Sequence, residues 1–181
     1  MGKVVHVTGY KAYELGIFDS KHEGIPYIKK AIKNHLLTLL DEDLEWVIIT
    51  GQPGVELWTA ELVFELQEEY PNLKLGVLLP YLNQEEKWKE PVVEQYEEVL
   101  MQADFVEAIS KKPYEGPWQL RLKNQFLISK SDAMLILYDE EKDGSPKYSW
   151  LEAQKKQVNS DYQIIQITFW DLQSLIEDEQ W

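Results

Sequence analysis

The segment Glu45–Leu66 constrains the fold more than any other part of the chain. Its apolar run, Trp46–Ile49, is typical of a strand that is buried on both faces of a parallel sheet. A turn containing Gly51 and Gly54 follows, and helical spacing of apolar residues begins at Val55. The start of a helix directs free backbone N–H groups and a positive dipole end at such a turn, which favours phosphate. The segment therefore predicts an α/β fold and suggests a phosphate site, although many α/β proteins carry such a turn without a ligand.

The same alternation of strands and helices continues along the chain. Strands are predicted at Lys3–Thr8, Trp46–Ile49, Leu73–Leu79, Asp104–Ser110, Ala133–Tyr138 and Tyr162–Thr168. Helices are predicted to start at Tyr27 and Val55 and to cover Asn83–Trp88, Pro91–Gln102, Trp118–Lys130 and Tyr148–Val158, with a last helix end in the acidic tail Glu177–Trp181. Successive βαβ units imply right-handed crossovers and a parallel sheet. No linker or repeat interrupts the pattern, so we predict a single domain over residues 1–181.

Composition excludes several classes of protein. The hydrophobic content of 44% is too high for a disordered chain, and the formal net charge of −14 argues against nucleic-acid binding, which depends on clustered Lys and Arg. The absence of Cys excludes disulfides and thiolate chemistry, and the three scattered His residues predict no metal site. No apolar run has the length of a membrane span and the N-terminus does not resemble a signal peptide, so we expect a cytoplasmic protein without membrane insertion.

Two of the predicted strands end in the same dipeptide. The first strand ends in Thr8-Gly9, and the central strand ends in Thr50-Gly51. Because parallel strands end at the same edge of a sheet, these two endings should lie side by side where open α/β folds bind their ligands.

Four motifs occur together in this chain. They are V-T-G-Y-K at Val7–Lys11, T-G-Q-P-G-V-E-L-W at Thr50–Trp58, L-K-N-Q-F-L-I-S-K-S-D at Leu122–Asp132, and L-I-L-Y-D followed by G-S-P-K-Y within Leu135–Tyr148. This combination closely resembles the YpsA family of Gram-positive bacterial proteins, and the resemblance covers essentially the whole chain. The family belongs to the SLOG group, whose relatives include LOG-type phosphoribohydrolases and DprA-like DNA-processing proteins. The resemblance implies a Rossmann-like, three-layer α/β/α fold with a mostly parallel central sheet.

The resemblance also implies a ligand and a site. The ligand is expected to be a nucleotide or nucleotide-derived molecule at the carboxyl ends of the strands, with no other cofactor required. The residues assigned to it are Thr8, Gly9, Gly51, Gly54, Glu56, Asn124, Gly144 and Ser145. A protein partner and a link with cell division are further expectations from the family.

Glu56 is the candidate catalytic residue. A carboxylate in the first turn of a helix is also favourable simply because it interacts with the helix dipole. Its position in the motif favours contact with a ribose hydroxyl, or general acid–base catalysis toward it. Trp58 is either a stacking surface for a base or part of the core, and packing is favoured. In the later helix, Arg121, Lys123 and Asn124 are polar groups that could hold a phosphate or a base edge, although surface cations on a helix need no ligand.

Three functions remain open. The leading interpretation is a nucleotide-binding sensor or regulatory protein. The alternative is a hydrolase of a nucleotide N-glycosidic bond that uses Glu56. The LOG-type pattern P-G-G-x-G-T is replaced here by Asp143-Gly144-Ser145-Pro146, which makes this activity the less favoured one. A third interpretation is a protein–protein adaptor with a vestigial pocket, which would use exposed Trp and Tyr residues as anchors.

Overall fold

A computed structural model describes residues 2–179 of the chain. The strands are β1 (Lys3–Gly9), β2 (Leu44–Ile49), β3 (Lys74–Leu79), β4 (Phe105–Ala108), β5 (Ala133–Leu137) and β6 (Gln163–Ile167). The α-helices are α1 (Gly24–Leu40), α2 (Val55–Leu66), α3 (Glu90–Gln102), α4 (Pro117–Lys130), α5 (Pro146–Val158) and α6 (Phe169–Glu179). A short 3₁₀ helix spans Ala12–Leu15. Within the described range, no helix is both long and apolar enough to cross a bilayer.

All six strands form one parallel sheet in the order β4-β3-β2-β1-β5-β6. The chain moves from β1 to β4 toward one edge, and it then returns to place β5 on the other side of β1. Because parallel crossovers are right-handed, this reversal places α1, α2 and α3 on one face and α4 and α5 on the other. α6 packs against α1, so one layer contains four helices and the other contains two. The predicted Rossmann-like, three-layer fold is confirmed.

The burial of α2 explains its nearly continuous apolar sequence. The helix lies against the sheet and between α1 and α3, and Leu57, Ala60 and Val63 are fully buried. Trp58 is 5% exposed and belongs to the same core, so the predicted packing role is confirmed and its ring is not open for stacking. Every residue of β5 is buried, as its uninterrupted apolar run indicated.

The helix predicted over residues 83–88 is absent. Asn83 has a left-handed φ of 61°, and the segment after it forms turns. Gln84 points inward, and its Nε2 donates to the Thr50 carbonyl at 2.9 Å and to the Tyr96 hydroxyl at 3.1 Å. A left-handed residue followed by an inward-facing amide is incompatible with a continuous helix, so this prediction was wrong.

Other elements differ from their predicted bounds only at the ends. β4 ends at Ala108, two residues before the predicted end at Ser110. The predicted helical end in the acidic tail belongs to α6, which begins at Phe169. The part of that prediction that concerns Gln180 and Trp181 lies outside the described residues.

Candidate functional site

The chain reverses its direction across the sheet between β1 and β5. The connection after β1 leaves toward β2, whereas the connection after β5 leaves toward β6. Loops that part in this way open a crevice at the carboxyl edge, and open α/β folds bind ligands there. Residues after Gly9 and after Leu137 form the two sides of this switch point.

Glu56 lies buried beside this point and is 4% exposed. Its Oε1 accepts hydrogen bonds from the Thr50 backbone N–H at 2.8 Å, the Thr50 hydroxyl at 2.7 Å and the Gln52 N–H at 3.2 Å. Its Oε2 accepts one from the Thr8 hydroxyl at 2.8 Å. The carboxylate therefore connects the ends of β1 and β2 to the first turn of α2. The two predicted Thr-Gly endings do lie side by side, and the protein itself connects them.

Two of the first backbone donors of α2 are also used within the protein. The Val55 N–H donates to the Tyr10 carbonyl at 3.2 Å, and the Leu57 N–H donates to the Gln52 carbonyl at 3.2 Å. In both contacts a carbonyl oxygen of the chain accepts from an N–H group that the sequence predicted to bind phosphate. The central turn therefore differs from the predicted phosphate cradle, because its own loop carbonyls take the place of the anion.

The glycines of the turn make room for the protein rather than for a ligand. Gly54 has a φ of 104°, and a Cβ there would lie 2.7 Å from the Tyr10 carbonyl oxygen. Gly51 has a φ of 89°, and a Cβ there would lie 2.9 Å from the Tyr96 ring. A Cβ on Gly9 would lie 2.8 Å from a methyl of Val55. We predicted that these glycines allow a ligand to approach the backbone, but the space that they leave is already filled.

The loop before α5 is closed in a similar way. Glu14, in the 3₁₀ helix, accepts hydrogen bonds from the Ser145 N–H at 2.8 Å, the Ser145 hydroxyl at 2.7 Å and the Lys11 N–H at 2.8 Å. A Cβ on Gly144 would lie 2.8 Å from the Tyr10 ring. Burial raises the pKa of Glu14, but these hydrogen bonds and the charge of Lys11 outweigh it and lower the pKa overall. The donors predicted for a phosphate at Ser145 are thus held by a carboxylate of the chain.

Two lysines at this edge have side chains without a hydrogen-bonding or ion-pair partner within residues 2–179. Lys11 follows β1 and Lys123 lies on α4, and both are half-buried. Burial lowers the pKa of Lys123, the positive charge of Lys11 lowers it further, and the negative charge of Glu56 opposes both. Among the seven ion pairs found within residues 2–179, none involves either lysine. The edge therefore carries two neighbouring cations without a carboxylate in contact.

His6 lies beneath these groups and is 1% exposed. Its Nδ1 is 3.3 Å from the Ile48 carbonyl oxygen, which can only accept, so Nδ1 carries the hydrogen. Burial lowers the pKa of His6, the charge of Glu56 and the bond to Ile48 oppose that change, and Lys123 adds to it. The ring is held neutral although the charges of Glu56 and Lys123 both act on it.

Asn124, the neighbour of Lys123, is 8% exposed. Its Oδ1 accepts a hydrogen bond from the Ser149 hydroxyl of α5 at 3.1 Å. No partner for its amide nitrogen is found between Gly2 and Glu179, so the nitrogen keeps donor capacity at the same part of α4 as Lys123. Within that range, no cluster of His, Asp and Glu has the arrangement of a metal site.

The structure brings some of the predicted residues together and separates others. Thr8 and Glu56 share a hydrogen bond, whereas Gly144 and Ser145 contact Glu14 instead. The sequence did not predict that Lys11 lies near Lys123, although both lie inside the quoted motifs. No sequence spacing relates the end of β1 to the middle of α4. Glu14 was missed because the irregular segment after β1 carried no periodic signal.

Two open concavities lie away from this edge. One, of about 710 Å³, is at the amino ends of the strands and is lined by Glu42, Asp43, Asp132 and Asp161 together with Lys3 and Lys156. Its acidic lining does not suit an anionic ligand. The other, of about 410 Å³, lies on the face of the sheet. The candidate site rests on the charges of the carboxyl edge and not on cavity volume.

Comparison with known proteins gives a consistent family assignment. The model of the YpsA family, described as the YspA SLOG family, matches residues 5–172. A UPF0398 protein of Bacillus cereus is 58% identical over 179 residues, covering 99% of this chain and 97% of the relative. A UPF0398 protein of Brevibacillus brevis is 53% identical over 180 residues, covering 99% of this chain and 96% of the relative.

Among solved structures, DNA processing protein A from Helicobacter pylori has a similar fold. The TM-score is 0.53 at 15% identity, over 98% of this chain and 80% of that one. At this identity the likeness concerns the fold alone; the Helicobacter pylori protein has a single-stranded DNA binding mode. The resemblance seen in the four sequence motifs is confirmed by the match of the family over nearly the whole chain: the protein belongs to the YspA SLOG family.

Proposed function

We propose that this protein binds a small anionic, nucleotide-derived ligand at the carboxyl edge beside β1, and that it acts as a sensor or regulatory protein. Lys11 and Lys123 would hold the anionic group, and the amide nitrogen of Asn124 would donate to the base or ribose. A regulatory link to cell division, which the family resemblance implies, is part of the same proposal.

The proximity of the two cations Lys11 and Lys123 is the main support for the proposal. Lys3, Lys29 and Lys156 are half-buried like these two lysines; the first two form ion pairs and Lys156 donates to a backbone carbonyl, whereas the ammonium groups of Lys11 and Lys123 have no such partner within residues 2–179. Burial and the positive charge of Lys11 lower the pKa of Lys123 despite the opposing charge of Glu56, so the charged form of Lys123 is unfavourable in the empty protein. An anionic ligand would remove this cost, because it would pair with both ammonium groups at once.

Hydrogen bonds that the chain itself makes at the starts of α2 and α5 support the same proposal. The N–H groups of Val55 and Leu57 at the start of α2, and the donors of Ser145 before α5, are already bonded within the chain. An anion at this edge would therefore depend on lysine side chains more than on backbone N–H groups. This is a different arrangement from the glycine-rich loop of the LOG-type pattern.

The two other functions have weaker support. A general base needs an accessible lone pair, and Glu56 is buried with four donors on its carboxylate. This environment favours a role in positioning the strand ends over a role in hydrolysis. Binding of single-stranded DNA, as named for the Helicobacter pylori protein, is opposed by the net charge of −14.

A thermal-shift screen of nucleotides with the Lys123→Met variant tests the proposal. A ligand at 100 times its dissociation constant adds about 2.7 kcal/mol, which raises the Tm of a domain of this size by roughly 5–10 °C. We expect Lys123→Met to weaken that ligand by about 10–100-fold, since a charge-assisted contact is lost. The same change should raise the Tm of the empty protein, because it removes a charge that burial and Lys11 oppose.

Lys33→Met is the matched control, because Lys33 is exposed on α1. It should leave both ligand affinity and Tm close to wild type. Equal ligand affinity in Lys123→Met and wild-type protein would contradict the assignment of the site. A panel of nucleotides that leaves the wild-type Tm unchanged would contradict the function.

A further inference from the structure

The two helical layers cover the sheet unequally. α4 and α5 lie over the β1, β5 and β6 side, and the same face of β2, β3 and β4 carries a groove of about 410 Å³. Its apolar lining consists of Val4, Trp46, Ile48, Leu78 and Phe105 from the strands and Phe126 from α4. We call this the β2–β4 groove. Phe105 is 46% exposed, so an aromatic ring remains in contact with water along one wall.

A second apolar surface lies next to the groove on α4 itself. Leu127 and Ile128 face the interior, as expected for a helix that packs on a sheet. Trp118, Leu122 and Phe126 recur at intervals of four residues and therefore share one side of the helix. Trp118 is 44% exposed and Leu122 is 40% exposed, so this stripe lacks a partner within residues 2–179. The stripe begins outside the groove and reaches its wall at Phe126.

The charges around the groove are complementary to each other. The wall formed by β4 carries Glu107, and the wall formed by α4 carries Lys130. Arg121 and Lys130 are exposed on α4, and the helix has no acidic residue, in a chain whose formal net charge is −14. In a two-fold arrangement the basic helix of one copy would face the acidic wall of the other, and this contact would occur twice.

We propose that a second copy of this chain occupies the groove, forming a symmetric dimer. The stripe Trp118–Leu122–Phe126 of each copy packs over β2, β3 and β4 of the other, where a third helix of the layer would lie. Leu122 and Phe105 become buried at the centre, and Glu107 and Lys130 form the rim between copies. An interface needs a buried apolar centre and a polar rim, and this face supplies both. The dimer is independent of the ligand proposed above.

Sedimentation of the 181-residue chain and of its Leu122→Glu variant tests the dimer. We expect wild-type protein to sediment as twice the 21.3 kDa chain at micromolar concentration. A carboxylate at the buried centre should raise the dimer dissociation constant by at least about 100-fold. Val158→Glu is the matched control, because Val158 is 80% exposed at the end of α5 and lies outside the groove. It should leave the dimer intact.

Charge reversal gives a second test that does not depend on the apolar centre. Glu107→Lys and Lys130→Glu should each weaken the dimer several-fold, and the double variant should recover most of the loss. Glu107 is also 3.0 Å from Lys111 in its own chain, so recovery in the double variant, and not the single losses, identifies the contact between copies. A cooperative unfolding transition in each variant would show that it remains folded.

Either of two results overturns the proposal. A wild-type chain that remains monomeric at roughly 100 µM would do so, since a specific homodimer should associate below that concentration. Binding of a different protein in the groove would be one form of that outcome. A Leu122→Glu variant that is as dimeric as Val158→Glu would also do so, because it would place the interface elsewhere.

Discussion

The two sides of the carboxyl edge use a carboxylate of the chain in the same way but at different depths. Beside β2, Glu56 collects four hydrogen bonds at the start of α2 and is 4% exposed. Beside β5, Glu14 collects three at the start of α5 and is half-buried. The first is part of the core, whereas water can reach the second. The same chemistry should therefore contribute differently to stability on the two sides.

The comparison bears on the anion site that we propose. On both sides, donors that often hold phosphate at helix starts are satisfied by groups of the chain. The nearby cations Lys11 and Lys123 form no ion pair with a carboxylate within the described range. Recognition of an anion would then depend on side chains that approach from β1 and from α4, so it depends on the packing of α4 as much as on the loops.

The largest expected loss of stability is at Glu56, on the buried side beside β2. Glu56→Ala removes the acceptor for two backbone N–H groups and two hydroxyls, and it should lower the free energy of unfolding by about 3–5 kcal/mol. Glu56→Gln should cost only about 1 kcal/mol, because the amide oxygen can replace Oε1 and the Thr8 hydroxyl can rotate to accept from the amide nitrogen. Denaturant unfolding measures both.

The same pair of variants tests catalysis. If the protein hydrolyses a nucleotide ligand through Glu56, Glu56→Gln should reduce turnover by about 10²–10⁴-fold. We expect no release of base from wild-type protein. Similar unfolding midpoints for Glu56→Ala and wild type would show that Glu56 does not hold the strand ends together.

A smaller effect is expected on the exposed side. Glu14→Gln should lower the free energy of unfolding by about 1 kcal/mol at pH 7, since one oxygen remains and water can satisfy the other donors. The pKa of Glu14 is lower in the folded protein, so its contribution is present above the unfolded pKa and is lost as pH falls through the folded one. Glu14→Gln should therefore lose less stability than wild type on acidification below about pH 4.5.

Urea midpoints between pH 3 and pH 7 provide the measurement, with Glu140→Gln as the control, because Glu140 is exposed in the loop before α5. If the urea midpoints of Glu14→Gln and wild type fall equally as the pH is lowered, Glu14 is not coupled to the Ser145 loop.

The smallest effect at neutral pH concerns His6, which belongs to the buried side. Its pKa is lower in the folded protein because the ring is buried, so the unfolded chain binds the proton more readily. Stability is therefore complete above about pH 6.5 and declines as pH falls from there toward the folded pKa. His6→Asn keeps a donor for the Ile48 carbonyl and should flatten this part of the curve, while changing little at pH 7.

His35 also has a pKa lowered by burial, which the charge of Asp171 opposes, so a weaker slope should persist in His6→Asn. His22→Asn, at an exposed position, should leave the slope unchanged. An identical slope in wild type and His6→Asn would assign the acid sensitivity to His35 instead.

Most of the architecture could be predicted because it depends on local pattern. Apolar runs such as Ala133–Leu137 must be buried on both faces, and the intervening helical periodicity requires crossovers of one hand. The prediction failed at residues 83–88, where the inward turn of Gln84 depends on Thr50 and Tyr96. No local pattern encodes a hydrogen bond to a residue that lies 34 positions away in the sequence.

By itself, the sequence determined the parallel α/β fold, the family, and the shared edge at which Thr8 and Glu56 meet. Those features follow from the periodicity of side chains and from motifs that lie within short segments. Only the tertiary structure decided that Gly54 makes room for the protein's own backbone, that Glu14 occupies the donors of Ser145, and that Lys11 stands near Lys123. Whether a donor or a charge remains available depends on groups from distant segments, and their arrangement is set by how the elements pack together.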